Sequence, residues 1–112
     1  MSKTLFSKII AGTMTWGYWG KNLDQNQMIE LMNSCIETGI TTFDHADIYG
    51  GYTTEADFGK AFAQSKIDRK ELQLISKCGI QHIKGRDNKI KHYDYSKDYI
   101  IWSVENSLKN LQ

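Results

Sequence analysis

Short apolar runs alternate along the chain with segments in which apolar residues recur every three or four positions. The first run, residues 5–13, predicts a β-strand that leads into a turn, and helical spacing follows it. Asp24 is the predicted N-cap of that helix, with Asn22 as a second candidate, and Gly39 is predicted to end it. Its apolar positions are Met28, Leu31, Met32, Cys35 and Ile36.

The same alternation continues through a second and a third strand. Residues 40–43 are β-branched or aromatic and predict a strand. A helix is predicted at roughly 55–64, with Thr54 as its N-cap and Asp57 three residues later, as in a capping box. The apolar residues of 72–75 predict the third strand.

Residues 80–95 form a long polar segment that predicts a loop. Loops of this length are typically functional or mobile, so a substrate-covering loop and a mobile surface loop both stay open. Ser96 is the predicted N-cap of the last helix, and its apolar stripe is predicted to be buried. That stripe comprises Ile100, Ile101, Val104, Leu108 and Leu111.

The order βα, βα, β, loop, α predicts an α/β fold with a parallel sheet and crossover helices. Three parallel strands leave two open edges and one sheet face without a partner layer. The chain stops at Gln112, at the end of a predicted helix, where a fourth strand is expected. We therefore expect the 112 residues to be the first part of a larger architecture, or to associate with partner chains.

Composition narrows the function classes only slightly. The formal net charge of +1 implies neither a nucleic-acid partner nor an anionic membrane surface. No apolar run is long enough to span a bilayer, and the N-terminus lacks the pattern of a signal peptide. Two cysteines, Cys35 and Cys78, argue against a disulfide framework, and no Cys/His spacing indicates a metal site. The expected location is cytoplasmic.

The candidate chemistry lies where the predicted strands end. Parallel strands end at one edge of a sheet, so Asp44, Tyr49 and Lys77 are expected near residues 13–16. An ammonium beside a phenol favours the phenolate, and a carboxylate holds the ammonium charged. Such a set suits proton transfer to an oxygen that gains negative charge when hydride reaches a carbonyl. Separately, each residue also has an ordinary role, as a turn residue, a packing aromatic or a solvated lysine.

Several ordered motifs carry a resemblance to a known family. They are Gly-Thr-Met-Thr-Trp-Gly at 12–17, Thr-Phe-Asp-His-Ala-Asp-Ile-Tyr-Gly-Gly at 42–51, Ser-Lys-Cys-Gly at 76–79, Glu55 with Gly59, and the serine-leucine pattern at 103–108. In these motifs the chain resembles the aldo-keto reductases over nearly its whole length. The Asp-His-Ala-Asp form and the Lys-Cys pair are similar to a bacterial oxidoreductase branch.

The resemblance implies the N-terminal part of a (β/α)8 TIM barrel, about three βα units over residues 1–112. It implies reduction of aldehyde or ketone carbonyls to alcohols with NADPH. Tyr49 matches the general acid, Lys77 the residue that tunes it, and Asp44 the carboxylate paired with that lysine. The implied cofactor-binding residues are Gly12, Thr13, Met14 and Asp44. The implied substrate-binding residues are Trp16, Trp19 and Tyr49, although packing of Trp16, Tyr18 and Trp19 under the 80–95 loop is an equal alternative.

The family's fourth catalytic residue, a histidine after the fourth strand, has no counterpart here. His45 is expected to be a hydrogen-bonded pocket residue, while His82 and His92 lie in the long loop. We therefore expect this polypeptide alone to be inactive. Two other functions compete: a truncated, non-catalytic relative that assembles with partner chains, and a lyase with Lys77 as Schiff-base nucleophile. Asp44 argues against the lyase, because it would keep the lysine charged.

Overall fold

The computed structural model describes residues 5–81 and 91–112, and its main sheet has three short parallel strands. The strands are β1 (Ile10–Gly12), β2 (Thr42–Asp44) and β3 (Gln73–Ile75), in the order β1-β2-β3. Gly12 pairs with Asp44, and Asp44 pairs with Ile75, so the strands end in register. The parallel α/β fold and the shared edge of strand ends are confirmed.

The helices connect and cover these strands. They are α1 (Gln25–Glu37), the short helical turn α2 (Tyr49–Tyr52), α3 (Thr54–Gln64) and α4 (Lys97–Leu111), with a 3-10 turn at Arg69–Glu71. Helix α1 packs on α3, and α3 packs on α4. Within the described residues, no helix has the length and apolar character needed to cross a membrane.

The core forms between the sheet and these helices, around the fully buried ring of Phe43 on β2. Trp16 packs edge-on against Phe43 with 6.0 Å between ring centroids, and Phe58 of α3 lies 5.6 Å from it. Met28 and Met32 of α1 are also buried there, as their helical spacing predicted. Aromatic pairs of this geometry add stabilisation beyond the area they bury. The core therefore packs around β2, the strand that ends in Asp44, and fixes its position.

Helix boundaries follow the predicted caps in three places. The Asp24 side chain accepts the N–H of Gln27, and the Gln27 side chain accepts the N–H of Asp24, which completes a capping box. Gly39 follows the last residues of α1 with φ +87°, a conformation that favours glycine. The Ser96 hydroxyl accepts the N–H of Tyr99 and begins α4.

Two element predictions were wrong in detail. The strand predicted at 5–13 is reduced to β1, because the Ser7 hydroxyl takes the N–H groups of Thr41 and Thr42. Thr54 is not a cap: Thr53 occupies the N-cap position, and Thr54 is the fully buried first residue of α3. Among the described residues, no side-chain hydrogen bond caps α3; the Thr53 hydroxyl donates to the carbonyl oxygen of Gly50.

The segment predicted as a loop over residues 80–95 contains a small antiparallel hairpin. Its strands are β4 (Ile80–Gln81) and β5 (His92–Tyr93). Residues 82–90 lie outside the described residues. The choice between a substrate-covering loop and a mobile surface loop falls on them and is not tested. The hairpin is tied to α2, since the Tyr52 hydroxyl donates to the carbonyl oxygen of Ile80 at 3.0 Å.

The buried face of α4 also differs from the sequence prediction. Its buried residues are Tyr99, Ser103, Ser107 and Leu111, at a strict four-residue spacing. The predicted apolar stripe, except Leu111, points outward, and Leu108 is 70% exposed. The serines turn inward because buried carboxylates on the adjoining elements need hydroxyl donors. Exposed apolar residues on α4 and on β1 fit the expected incomplete layers of a larger fold.

A close approach of α4 to α3 gives a test of this packing. A Cβ at Gly59 would overlap the carbonyl oxygen of Asn110 in α4, so Gly59→Ala must push the helices apart. Overpacking of this kind costs about 1–3 kcal/mol, and we expect a lower urea midpoint. Gly12→Ala is the control, because its Cβ would have no atom within 4 Å. Equal midpoints for the two variants would contradict the helix contact.

Candidate active site

The ends of β2 and β3 bring a carboxylate and an ammonium together. Lys77 Nζ donates to both oxygens of Asp44, at 2.9 and 3.0 Å, and to the carbonyl oxygen of His45 at 2.6 Å. These contacts hold the ammonium at the ends of β2 and β3. The Asp44 side chain stays 32% exposed and the Lys77 side chain 49% exposed. The predicted ion pair is therefore present and open to small molecules.

Tyr49 lies beside this pair at the start of α2. Lys77 Nζ is 5.1 Å from the centroid of the Tyr49 ring, within the range of a cation–π contact. Gly50 and Gly51 follow with φ of +67° and +66°, and this left-handed turn is one that glycine adopts without strain. The glycine pair thus lets the chain turn immediately after Tyr49 and keeps the phenol at the strand ends.

The charge state of Lys77 follows from its surroundings. Burial tends to lower the pKa of Lys77, but hydrogen bonding and attraction to Asp44 and Tyr49 outweigh it, so the pKa is raised. Lys77 is therefore an ammonium at neutral pH. A Schiff base needs a neutral amine, so the geometry opposes the lyase role considered for Lys77.

A buried pair supports the site from beneath. The Thr13 hydroxyl donates to the carbonyl oxygen of Asp44 at 3.0 Å and lies 2.9 Å from His45 Nδ1. A carbonyl oxygen only accepts, so the Thr13 hydroxyl must accept from His45 Nδ1–H. The proton of the neutral ring is therefore on Nδ1, and Nε2 has no partner among the described residues.

His45 is fully buried, with its ring edge-on to Phe58 at 4.4 Å. Burial lowers the pKa of His45 to about 4; Asp44 partly opposes this shift and Lys77 adds to it. The imidazole is neutral above that pH and serves as a hydrogen-bonded support within the core. The sequence predicted the hydrogen bond but placed His45 in a pocket.

The residues proposed for cofactor binding occupy different environments around β1. Gly12 leaves open space where a side chain would stand, and Met14 is exposed beyond it. Thr13, in contrast, is fully buried, and both its N–H and its hydroxyl are bonded inside the protein. Gly12, Met14 and Asp44 are therefore accessible to a ligand, whereas Thr13 is bonded to Asp44 and His45 inside the protein.

The aromatic residues of the first loop separate into two groups. Trp16 is only 7% exposed and packs between Phe43 and Phe58, so the structure places it mainly in the core. Burial of its large apolar ring in the core explains this placement. Trp19 is 42% exposed, and its ring centroid lies 6.2 Å from that of Tyr49. Trp19 alone of the two tryptophans borders the candidate site.

A cleft of about 490 Å³ lies on the other side of Lys77, between β3 and α4. Leu74, Lys77 and Cys78 line its β3 side, and Val104 and Leu108 line its α4 side. Neither Asp44 nor Tyr49 contributes to it. The cleft follows the open edge of β3, so it is a gap between elements and not the site of the Tyr49–Lys77 chemistry.

Comparison with known proteins places this geometry in a family context. The model of the aldo/keto reductase family matches residues 8–112. The uncharacterized oxidoreductase YcsN of Bacillus subtilis is 44% identical over 109 residues, covering 96% of this chain and 36% of that protein. Oxidoreductase YdhF of Escherichia coli is 40% identical over 106 residues, covering 95% and 35%.

A solved structure supports the same placement. The chain is similar to the holo form of aldo-keto reductase AKR11C1 from Bacillus halodurans, with 30% identity and a TM-score of 0.74. The match covers 96% of this chain and 33% of that one, so the chain spans about a third of its relatives' length. The architecture is the predicted part of a (β/α)8 barrel, not closed within the described residues. By family match, relatives and fold, the chain belongs to the aldo/keto reductase family.

Proposed function

We propose that residues 1–112 form the N-terminal segment of a cytoplasmic reductase that converts aldehyde or ketone carbonyls to alcohols with NADPH. The observation that carries the proposal is the Asp44–Lys77 ion pair set 5.1 Å from the Tyr49 ring. An oxidoreductase role agrees with the family and with the names of the relatives in Bacillus subtilis and Escherichia coli.

In the proposed reaction Tyr49 is the general acid. Its phenol proton moves to the carbonyl oxygen while two electrons arrive at the carbonyl carbon as hydride, which gives a neutral alcohol and a phenolate. The Lys77 ammonium stabilises that phenolate through its charge. Asp44 keeps Lys77 in place with two hydrogen bonds and keeps it protonated.

The residues at the strand ends fit the nicotinamide end of the cofactor. The open space at Gly12 lets a planar ring approach the backbone, and exposed Met14 offers an apolar side chain to it. Asp44 is partly exposed and has lone pairs left to accept a ribose hydroxyl. When bound, NADPH supplies the hydride for the carbonyl carbon. Thr13 would hold Asp44 in register for these contacts.

The substrate is a small carbonyl compound that reaches Tyr49 along the exposed face of Trp19. An indole plane beside the general acid provides an apolar wall, which suits a compact ligand and excludes water from one side. Trp16 stays a predicted substrate residue and would act from the core, beneath Trp19.

A chimera tests the proposed function. Residues 8–112 replace the matched segment of the Bacillus subtilis relative, so the strand ends gain the remaining barrel. We expect aldehyde-dependent oxidation of NADPH with one alcohol formed per NADPH, faster than with NADH. The 112-residue chain alone is expected to show no turnover. A folded chimera that consumes no NADPH with any aldehyde or ketone would overturn the proposal.

A further inference from the structure

Two buried carboxylates lie beneath the site and have no part in the proposed proton transfer. Glu55 in α3 is 3% exposed; its Oε2 accepts from the Ser76 hydroxyl at 2.5 Å and its Oε1 from the Ser107 hydroxyl at 2.9 Å. Asp47 accepts from the Ser103 hydroxyl at 2.8 Å. Glu55 therefore bridges the end of β3 to α4 with one oxygen for each.

The Ser76 contact matters because Ser76 directly precedes Lys77. On the other side of the Lys77 Cα, the Lys77 carbonyl oxygen accepts the N–H of Asp47 at 3.0 Å. The backbone of Lys77 is thus held by Glu55 through Ser76 and by Asp47 directly. A long lysine side chain loses much conformational entropy when ordered, so a fixed backbone reduces the cost of ordering its ammonium.

Packing alone is a poor explanation for the buried Glu55 carboxylate. Burial raises the pKa of Glu55, the Ser76 and Ser107 hydroxyls oppose that shift, and the charge of Asp47 adds to it. Neutral hydroxyls only partly compensate a desolvated carboxylate, so an apolar contact would stabilise this layer better. The carboxylate instead fixes the relative positions of two elements, because one oxygen bonds Ser76 after β3 and the other bonds Ser107 in α4.

We propose that Glu55, acting through the Ser76 hydroxyl, is a positioning residue that holds Lys77 against Asp44 and beside Tyr49. This inference rests on the proposed function, in which the Lys77 ammonium stabilises the Tyr49 phenolate. It assigns the two hydroxyl contacts of Glu55 different tasks: Ser76 orients the site, and Ser107 docks α4.

Two matched variants separate these tasks in the chimera with the Bacillus subtilis relative, which is expected to turn over. Ser76→Ala and Ser107→Ala each remove one hydroxyl from the same carboxylate, so similar losses in urea midpoint are expected. Only Ser76→Ala is expected to lower kcat, by about tenfold, because small displacements of catalytic groups are costly. KM should change little. Ser76→Thr keeps the hydroxyl and is expected to restore kcat, whereas Ser107→Ala should stay within about twofold.

Titration of Lys77 gives a readout that does not depend on turnover. With 15N-labelled lysine, the Nζ resonance of Ser76→Ala should titrate at a lower pH than the parent, because Lys77 leaves Asp44. In Ser107→Ala the titration should be unchanged. An unchanged Lys77 titration in Ser76→Ala, or equal kcat losses in the two serine variants, would overturn the positioning role.

Failure of the proposed function would look different. If Lys77→Met retains full turnover, Lys77 has no part in the reaction, whatever the serine variants show. If Lys77→Met abolishes turnover while the two serine variants behave alike, the proposed function stands and the role of Glu55 is refuted.

Discussion

Tyr49→Phe in the barrel chimera is expected to lower kcat/KM for aldehyde reduction by about 10²- to 10⁴-fold, the usual contribution of a positioned general acid. The variant removes one oxygen and leaves the ring that faces Lys77 and Trp19. The loss should fall on kcat more than on KM, since the phenol proton is transferred only in the transition state.

Tyr52→Phe is the matched control for this result. It removes the same atom from the same helical turn, but the Tyr52 hydroxyl donates to Ile80 and not toward the ion pair. Turnover of Tyr52→Phe should stay within about threefold of the parent, in the range of one lost partly exposed hydrogen bond. Equal turnover of Tyr49→Phe and the parent chimera would show that another group protonates the carbonyl oxygen.

The location of the candidate site was predictable from the sequence for a specific physical reason. Neighbouring parallel strands run in the same direction and end at one edge of the sheet, so Asp44 after β2 and Lys77 after β3 were expected to approach each other. The sheet register confirms this, because Asp44 pairs with Ile75, two residues before Lys77. Once the two strand ends are adjacent, the opposite charges of Asp44 and Lys77 attract each other and form the observed ion pair.

Side-chain direction in the first loop was not predictable in the same way. Trp16 and Trp19 lie three residues apart in a Gly-rich segment that has neither a helical nor a strand period. Periodicity assigns a face only where the backbone is regular. The loop is closed by the Lys21 N–H, which donates to the carbonyl oxygen of Thr15. Tertiary contacts with Phe43 and Phe58 place Trp16 in the core.

The prediction of which face of α4 is buried was wrong for another reason. An apolar stripe predicts burial when the opposing surface is apolar, but α4 meets the carboxylates of Asp47 and Glu55. Ser103 and Ser107 satisfy them, and the four-residue spacing of these hydroxyls was the signal available in the sequence. The sequence does not show which carboxylates are buried. The serine spacing therefore could not be preferred over the adjacent isoleucine, valine and leucine residues as the buried face.

His45 predicts a strong dependence of stability on pH. An unfolded histidine titrates near pH 6.5, whereas burial lowers the pKa of His45 in the folded chain to about 4. Between these values the unfolded state binds more protons, so the free energy of unfolding must fall as the pH falls. The loss from this group should begin near pH 6.5, be complete near pH 4, and total about 3 kcal/mol.

His45→Asn isolates this contribution, because its amide N–H can still donate to Thr13 while its side chain no longer titrates. Glu55 works in the opposite direction: its pKa is raised on folding, so acid favours its folded form, and it is present in both proteins. The measurement is the free energy of urea unfolding from pH 4 to pH 8 for parent and variant. Their difference should be constant above pH 7 and shift toward the variant below pH 6. Parallel curves over the whole range would mean that His45 is protonated in the folded state, so the unpartnered Nε2 would have to carry a proton inside the core.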